Sequence, residues 1–199
     1  MENGKKIITI SGVHGAGKST ILNLLNKQLN WKEGIEREKN PFQSTFHAML
    51  FFVCSFSLRD LMVLKDTSTF NTIIDRWSIM DIEAYIEAFE NIGYLTTIEK
   101  KAISNALKAS PSNLILPQLS IYLETNVDTI LERLAKFRVP SIHHIHERDP
   151  IALKELTKSF SKKFKGLNNV DIIKITTDGK SPDEIVCEIL EHPLMKEHI

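Results

Sequence analysis

From Gly12 to Ser19 the chain reads Gly-Val-His-Gly-Ala-Gly-Lys-Ser, followed by Thr20. This is the pattern G-x-x-x-x-G-K-[ST], and each part of it has a physical task. Glycines let backbone N–H groups approach phosphate oxygens with no Cβ in the way. A helix that starts at the lysine adds the partial positive charge of its N-terminus. Lys18 has the reach to meet the β- and γ-phosphates of a nucleotide, and the Ser19 hydroxyl is placed to ligate Mg²⁺. The expected nucleotide contacts are therefore Gly12, Gly15, Ala16, Gly17, Lys18, Ser19 and Thr20. His14, inside the loop, is expected to point outward as a variable position.

Other chemically capable residues occur in three clusters. "TIIDR" brings Asp75 and Arg76 to the end of an apolar run. In a parallel sheet, ligands bind beyond the carboxyl ends of strands. Arg76 can there hold an acceptor or a phosphate, and Asp75 can order Mg²⁺; a simple strand-end salt bridge between the two is the competing reading. "IEREKNPF" offers Glu36 or Glu38 as a base for an attacking hydroxyl and Arg37 for an acceptor phosphate. "ERLAKFRVPSIHHIHERD" offers Arg133, Arg138 and Arg148 around a polar loop, suited to bring cations to developing phosphate charge. His143, His144 and His146 in that loop have no clearly paired carboxylate or cysteine, so no preformed metal site is expected there.

A phosphate loop alone does not choose a reaction. A guanine-nucleotide switch needs a base-reading [NT]-K-x-D segment, and Thr125-Asn126-Val127-Asp128 lacks the lysine. A small kinase needs an acceptor-side base or clamp, cations around the transferring phosphate, and a closing lid. The clusters above supply candidates for each.

These residues require a scaffold of alternating strands and helices. "KIITIS" (6–11) reads as a buried strand, and a helix begins near Lys18. A short strand is expected around 34–36, then a long helix from Ser44 or Thr45 to about Leu64. Phe70–Arg76 reads as a strand, followed by helices over 79–91 and 96–109. Leu116–Glu124 is a strand, and "NVDTILERLAKFR" an amphipathic helix. Pro150 opens another helix at its first turn. "VDIIKITTD" is the last strand, and Ser181-Pro182 starts the closing helix. Such alternation implies a parallel sheet covered on both faces.

The bulk numbers fit one α/β domain. There are 199 residues, 42% of them hydrophobic, with Lys+Arg and Asp+Glu equal at 25 each. No global field points to a nucleic acid polymer or a membrane. Two cysteines without ligand spacing suit a reduced, cytoplasmic setting. The apolar stretch Phe46–Leu58 is short of the roughly 20 residues of a membrane span, so a buried core helix is expected.

Taken in order, these segments resemble the deoxynucleoside kinase and thymidylate kinase superfamily. "ISGVHGAGKST" looks like its phosphate loop, and "EREKNPFQSTF" is similar to the acidic segment and Asn-Pro-aromatic of deoxynucleoside kinases. "FFVCSFSLRDLM" resembles their acceptor-site helix with Arg59 in place. "IIDRWSIMDIEAY" is similar to the Asp/Glu-Arg-Ser stretch, and "IYLETNVDTILERLAKFR" resembles the approach to the lid, with Arg133 near the nucleotide.

The resemblance implies a P-loop NTPase three-layer α/β sandwich over residues 1–199. Its sheet would have five parallel strands in order 2-3-1-4-5, with helices on both faces and a lid at about 138–149. It implies ATP and Mg²⁺, and an acceptor that is a nucleoside 5′-hydroxyl or, in the thymidylate kinase manner, a nucleoside monophosphate. It also suggests a homodimer. Lys18, Glu36, Arg76 and Arg138 would carry catalysis, with Ser19 and Asp75 at the metal. Arg37, Glu38, Phe52, Arg59 and Arg76 would hold the acceptor. A regulator that binds nucleotide without catalysis, or a kinase of another small molecule, is the alternative of another class. The acceptor helix lacks the relatives' usual glutamine, with Phe51, Phe52 or Ser55 near that place, and Trp77 follows the Asp-Arg pair. Base identity is left open.

Overall fold

The computed structural model describes residues 6–33, 41–66, 71–137, 147–167 and 169–199. Strand β1 (Ile7–Ser11) runs into the glycine loop, which ends where helix α1 (Lys18–Leu29) starts. Next come β2 (Lys32–Glu33), α2 (Thr45–Lys65), β3 (Thr72–Asp75), α3 (Ser78–Asn91) and α4 (Thr97–Ala109). A 3₁₀ turn at Pro111–Leu114 leads to β4 (Leu119–Glu124) and α5 (Val127–Phe137). Helix α6 (Pro150–Lys165), β5 (Asp171–Thr176), α7 (Pro182–Glu191) and α8 (Pro193–His198) complete the chain.

The strands pair in parallel in the order β2-β3-β1-β4-β5. Four of them are substantial; β2 is a two-residue edge. It lies just before the strand expected at 34–36, and 34–40 are outside the described residues, as are Phe70 and residues 138–146 of the expected lid.

Alternation along β4 shows how both faces are covered. Leu119, Ile121 and Leu123 join a cluster with Ile8, Ile10, Leu25, Ile185 and Ile189, the side carrying α1 and α7. Tyr122 turns the other way, into a larger cluster with Trp77, Ile82, Phe89, Leu153 and Phe160 from α3, α6 and their neighbours. Between strands, the buried Thr9 hydroxyl donates to Ser120 Oγ at 2.9 Å, satisfying both polar groups inside the sheet.

Helix α2 spans 21 residues, and among the described residues it is the one helix long and apolar enough to cross a membrane by length and composition. Its inner face, Met49, Val53 and Phe56, joins the larger core, and the charged Arg59 and Asp60 are buried on it too. Ser44 stands at its N-cap position without a side-chain cap bond. Caps elsewhere follow the local residues. Ser181 and Glu184 form a reciprocal capping box on α7, and Asp149 caps α6 with Pro150 at its first turn.

The start of the glycine loop depends on close backbone approach. Gly12 has φ +147°, and a Cβ there would lie 2.7 Å from the Leu123 carbonyl of β4. Replacing Gly12 with alanine should therefore push the loop off the sheet and cost about 2–3 kcal/mol. Urea unfolding of Gly12→Ala measures this; a cost below about 0.5 kcal/mol would show that the contact yields freely.

Candidate phosphate-transfer site

The glycine loop and the end of β3 are stitched together atom by atom. Register places Ile10 beside Asp75. Past the strand, Arg76 N donates to Ile10 O at 2.8 Å, and Trp77 N donates to Ser11 Oγ at 3.1 Å. The Arg76 guanidinium then donates to Gly12 O at 3.0 Å through Nη1. To make this turn Arg76 takes φ +76°, a left-handed conformation that costs a non-glycine residue about 1–3 kcal/mol.

Arg76 does not pair with Asp75, as the competing salt-bridge reading had it. The residue is 8% exposed, and its Nη1 donates to Asp81 Oδ2 at 2.7 Å, one turn into α3. Nη2 lies 3.4 Å from Tyr85 Oη, and the guanidinium carbon sits 5.5 Å from the centre of the Tyr85 ring. Burial opposes the Arg76 charge, but Tyr85, Asp81 and Asp75 outweigh it and hold its pKa above the ordinary arginine value. Burial acts on Asp81 and Tyr85 as well, raising both, while Arg76 pulls both down. The result is a permanent cation with little water around it, fixed over the start of the phosphate loop.

The loop itself is arranged to receive an anion. Gly17 caps α1 with φ +95°, leaving the first helical amides at the loop's edge. Lys18 is buried, and its Nζ donates to Val13 O at 2.9 Å, so the ammonium folds back over its own loop. Ser19 and Thr20 are exposed in the first turn. Arg133 of α5 joins the loop from the far side. Its Nη1 donates to Ala16 O at 3.3 Å and Thr177 Oγ1 at 3.0 Å, and its Nη2 to Thr177 O at 2.8 Å. Arg148 Nη2 donates to Leu134 O at 3.2 Å.

One sequence-based expectation changes here, and two more residues find protein partners. His14 does not point outward. It is 6% exposed, and its Nδ1 lies 3.0 Å from Tyr85 Oη with the two rings stacked. Arg59 is enclosed by protein groups. It is 4% exposed, and its Nε and Nη2 donate to Asp60 Oδ1 at 2.9 and 2.7 Å. It also donates to the carbonyls of Asp75 and Arg76 and to Ser78 Oγ, so it clamps the strained turn from below. Phe52 is half-buried, stacked on Phe56 at 6.2 Å and packed against the larger core.

Asp75 is half-buried at the strand end, beside the loop as expected. Glu36, Arg37, Glu38, Arg138, His143, His144 and His146 lie outside the described residues. The sequence reading overlooked Asp81, Tyr85 and the buried Glu147, whose charge acts on Tyr85. The i, i+4 spacing of Asp81 and Tyr85 on α3 was the available signal, since it places both on one helix face.

Residues 8–193 match the family model described as Deoxynucleoside kinase. The chain belongs to the deoxynucleoside kinase family. A deoxyadenosine/deoxycytidine kinase of Bacillus subtilis (strain 168) is 24% identical over 140 residues, which is 64% of this chain and 64% of that protein. Solved structures of two other kinases share the fold. One is deoxyadenosine kinase from M. mycoides with bound dATP (TM-score 0.74, 18% identity, 94% of this chain and 100% of that one). The other is the thymidylate kinase from Candida albicans (TM-score 0.64, 19% identity, 94% of this chain and 90% of that one).

The clamp formed by Arg59 makes a prediction that an acceptor-binding role would not. Arg59→Met strands the Asp60 carboxylate in the core with Ser78 Oγ at 2.5 Å as its remaining described partner, and should cost about 3–5 kcal/mol in urea unfolding. A stability change below about 1 kcal/mol together with a raised acceptor KM would restore Arg59 to the acceptor site.

Proposed function

We propose that this protein transfers the γ-phosphoryl group of ATP to the 5′-hydroxyl of a (deoxy)nucleoside, as a single kinase domain. The observation that carries the proposal is the buried Arg76 guanidinium bonded to Gly12 O, in a chain of the deoxynucleoside kinase family. A cation desolvated at that point meets the requirement of phosphoryl transfer, whose transition state spreads negative charge over the transferring oxygens.

The loop amides and Lys18 hold the β- and γ-phosphates. Lys18 Nζ now spends a bond on Val13 O, and phosphate oxygens are stronger acceptors for the same ammonium. Mg²⁺ fits the exposed Ser19 hydroxyl and the Asp75 carboxylate, both oxygen donors, and would neutralise phosphate charge there. Arg133, tied to Ala16 and Thr177, borders the nucleotide's other end. Glu36, or Glu38 two residues on, accepts the proton of the attacking hydroxyl. Arg37 and Arg138, assigned from the sequence, complete the acceptor and lid cations.

The second reading is a monophosphate kinase of thymidylate kinase type, favoured by the shared fold with the Candida albicans protein. A homodimer is also proposed, with the apolar residues Leu58 and Met62 exposed one turn apart on α2 as its contact. Sedimentation should then give twice the chain mass.

ADP release with ATP·Mg²⁺ against nucleosides and nucleoside monophosphates tests the function. Acceleration by a nucleoside supports it, with Glu36→Gln lowering kcat by about 10²–10⁴ and leaving ATP affinity unchanged. If Glu38→Gln is the crippled variant, the base is two residues on. Acceleration only by monophosphates moves the acceptor to the second reading. No acceleration, with ATP still bound, leaves a nucleotide-binding regulator or a kinase of another small molecule.

A further inference from the structure

His14 stands inside the phosphate loop, yet its ring is buried among residues of α3. Its Nδ1 lies 3.0 Å from Tyr85 Oη, and the ring centroids are 6.1 Å apart at 26°. Tyr85 is itself held from the other side. Phe160 meets its ring edge-on at 5.5 Å, and Phe89 lies at 5.6 Å. The same hydroxyl is 3.4 Å from Arg76 Nη2.

The guanidinium fixes the direction of one of these bonds. A guanidinium has donors and no acceptor, so the Tyr85 oxygen accepts from Arg76. The Tyr85 oxygen keeps a second lone pair and one hydrogen, so the 3.0 Å contact to His14 Nδ1 is a hydrogen bond whose donor depends on the histidine tautomer. A chain of two hydrogen bonds runs from the arginine through the tyrosine to the phosphate loop. Arg76 also reaches the loop directly at Gly12 O. The cation is thus tied to the loop at two points, Gly12 and His14, and to α3 at Asp81.

We propose that His14 is a positioning residue for phosphoryl transfer. It fixes Tyr85, and through Tyr85 the height and plane of the Arg76 guanidinium over the phosphate loop. The inference rests on the kinase reading above. Its energetic logic is that of orientation. A reacting group displaced by about 1 Å can lose up to ~10²-fold in rate, while the binding of ATP through the loop amides is left nearly unchanged. Asp81 and Gly12 hold one end of the guanidinium, its Nη1. The histidine and tyrosine set the other, its Nη2.

The test uses the full chain with ATP·Mg²⁺ and whichever acceptor turns over, comparing wild type, Tyr85→Phe, His14→Leu, the double variant and His14→Asn. Tyr85→Phe removes one oxygen and keeps the stacking. It should lower kcat roughly tenfold with both KM values within about threefold, the split expected of lost orientation. His14→Leu should do the same, and the double variant should be no slower than the slower single, because both remove one chain of bonds. Asparagine can place an amide oxygen or nitrogen where Nδ1 stood, so His14→Asn should recover most of the rate. Recovery of rate by a side chain that restores a hydrogen-bonding atom is not expected of a purely packing role. If His14→Leu does not fold, Tyr85→Phe decides alone.

Wild-type kcat in both Tyr85→Phe and His14→Leu would overturn the inference, as would additive losses with no recovery in His14→Asn. Absence of turnover in the wild-type chain overturns the kinase reading first, and the inference with it. Turnover in wild type with unchanged variants removes the inference alone.

Discussion

The turn at Arg76 is the constraint on which the rest of the site depends. A strand that ended conventionally at Asp75 would carry the chain away from the sheet. Instead the backbone enters the left-handed region at a residue with a bulky side chain. Amides 76 and 77 go to Ile10 O and Ser11 Oγ, and the guanidinium goes to Gly12 O. Three successive residues of β1 and its loop are read by two residues after β3. The phosphate loop can then be neither raised nor rotated without breaking contacts to the turn after β3. The strain is held because Arg59 takes the carbonyls of Asp75 and Arg76 from beneath. An outlier backbone that is over-determined by its surroundings is the expected form of a functional turn.

Two arginine–aspartate pairs are buried within this small volume, Arg59 with Asp60 and Arg76 with Asp81. Neither is an economical way to stabilise a fold, since desolvation offsets much of the attraction. Their arrangement differs in a way that separates their roles. Asp60 receives two arginine nitrogens and Ser78 Oγ, a closed set. Arg76 is spread over Gly12, Asp81 and Tyr85, and these contacts span the loop and the helix that face each other. The first pair maintains geometry. The second holds a charge against the start of the phosphate loop.

What could be read from the sequence divides along the distance between partners. The phosphate loop was legible because its glycine spacing is local and each φ requirement is met by the residue itself. The helix starts at Pro150 and Ser181 were legible for the same reason. Boundaries slipped where a residue left the ladder. Leu116 was placed in β4, but it is half exposed and Pro117 has no N–H to give, so the strand starts at Leu119. Helix α8 was hidden because His192 and Pro193 restart a helix directly after α7, and the pattern reads as one segment. The buried arginine clamp and the His14–Tyr85 contact were not legible at all. They join residues 16 to 71 positions apart, and nothing in a local pattern says that an arginine on an apolar helix turns inward to cap carbonyls. The family's strand order and its acceptor came through resemblance, not through the spacing of residues.

On the proposed function, Arg76 acts on the transferring phosphate and is more than half of a structural pair. Single-turnover phosphoryl transfer by Arg76→Gln, at saturating ATP·Mg²⁺ and acceptor, tests it most directly, with circular dichroism establishing that the variant is folded. The transfer rate should fall by about 10²–10³ while ATP affinity stays within a few fold. A folded variant that transfers phosphate at the wild-type rate would contradict it.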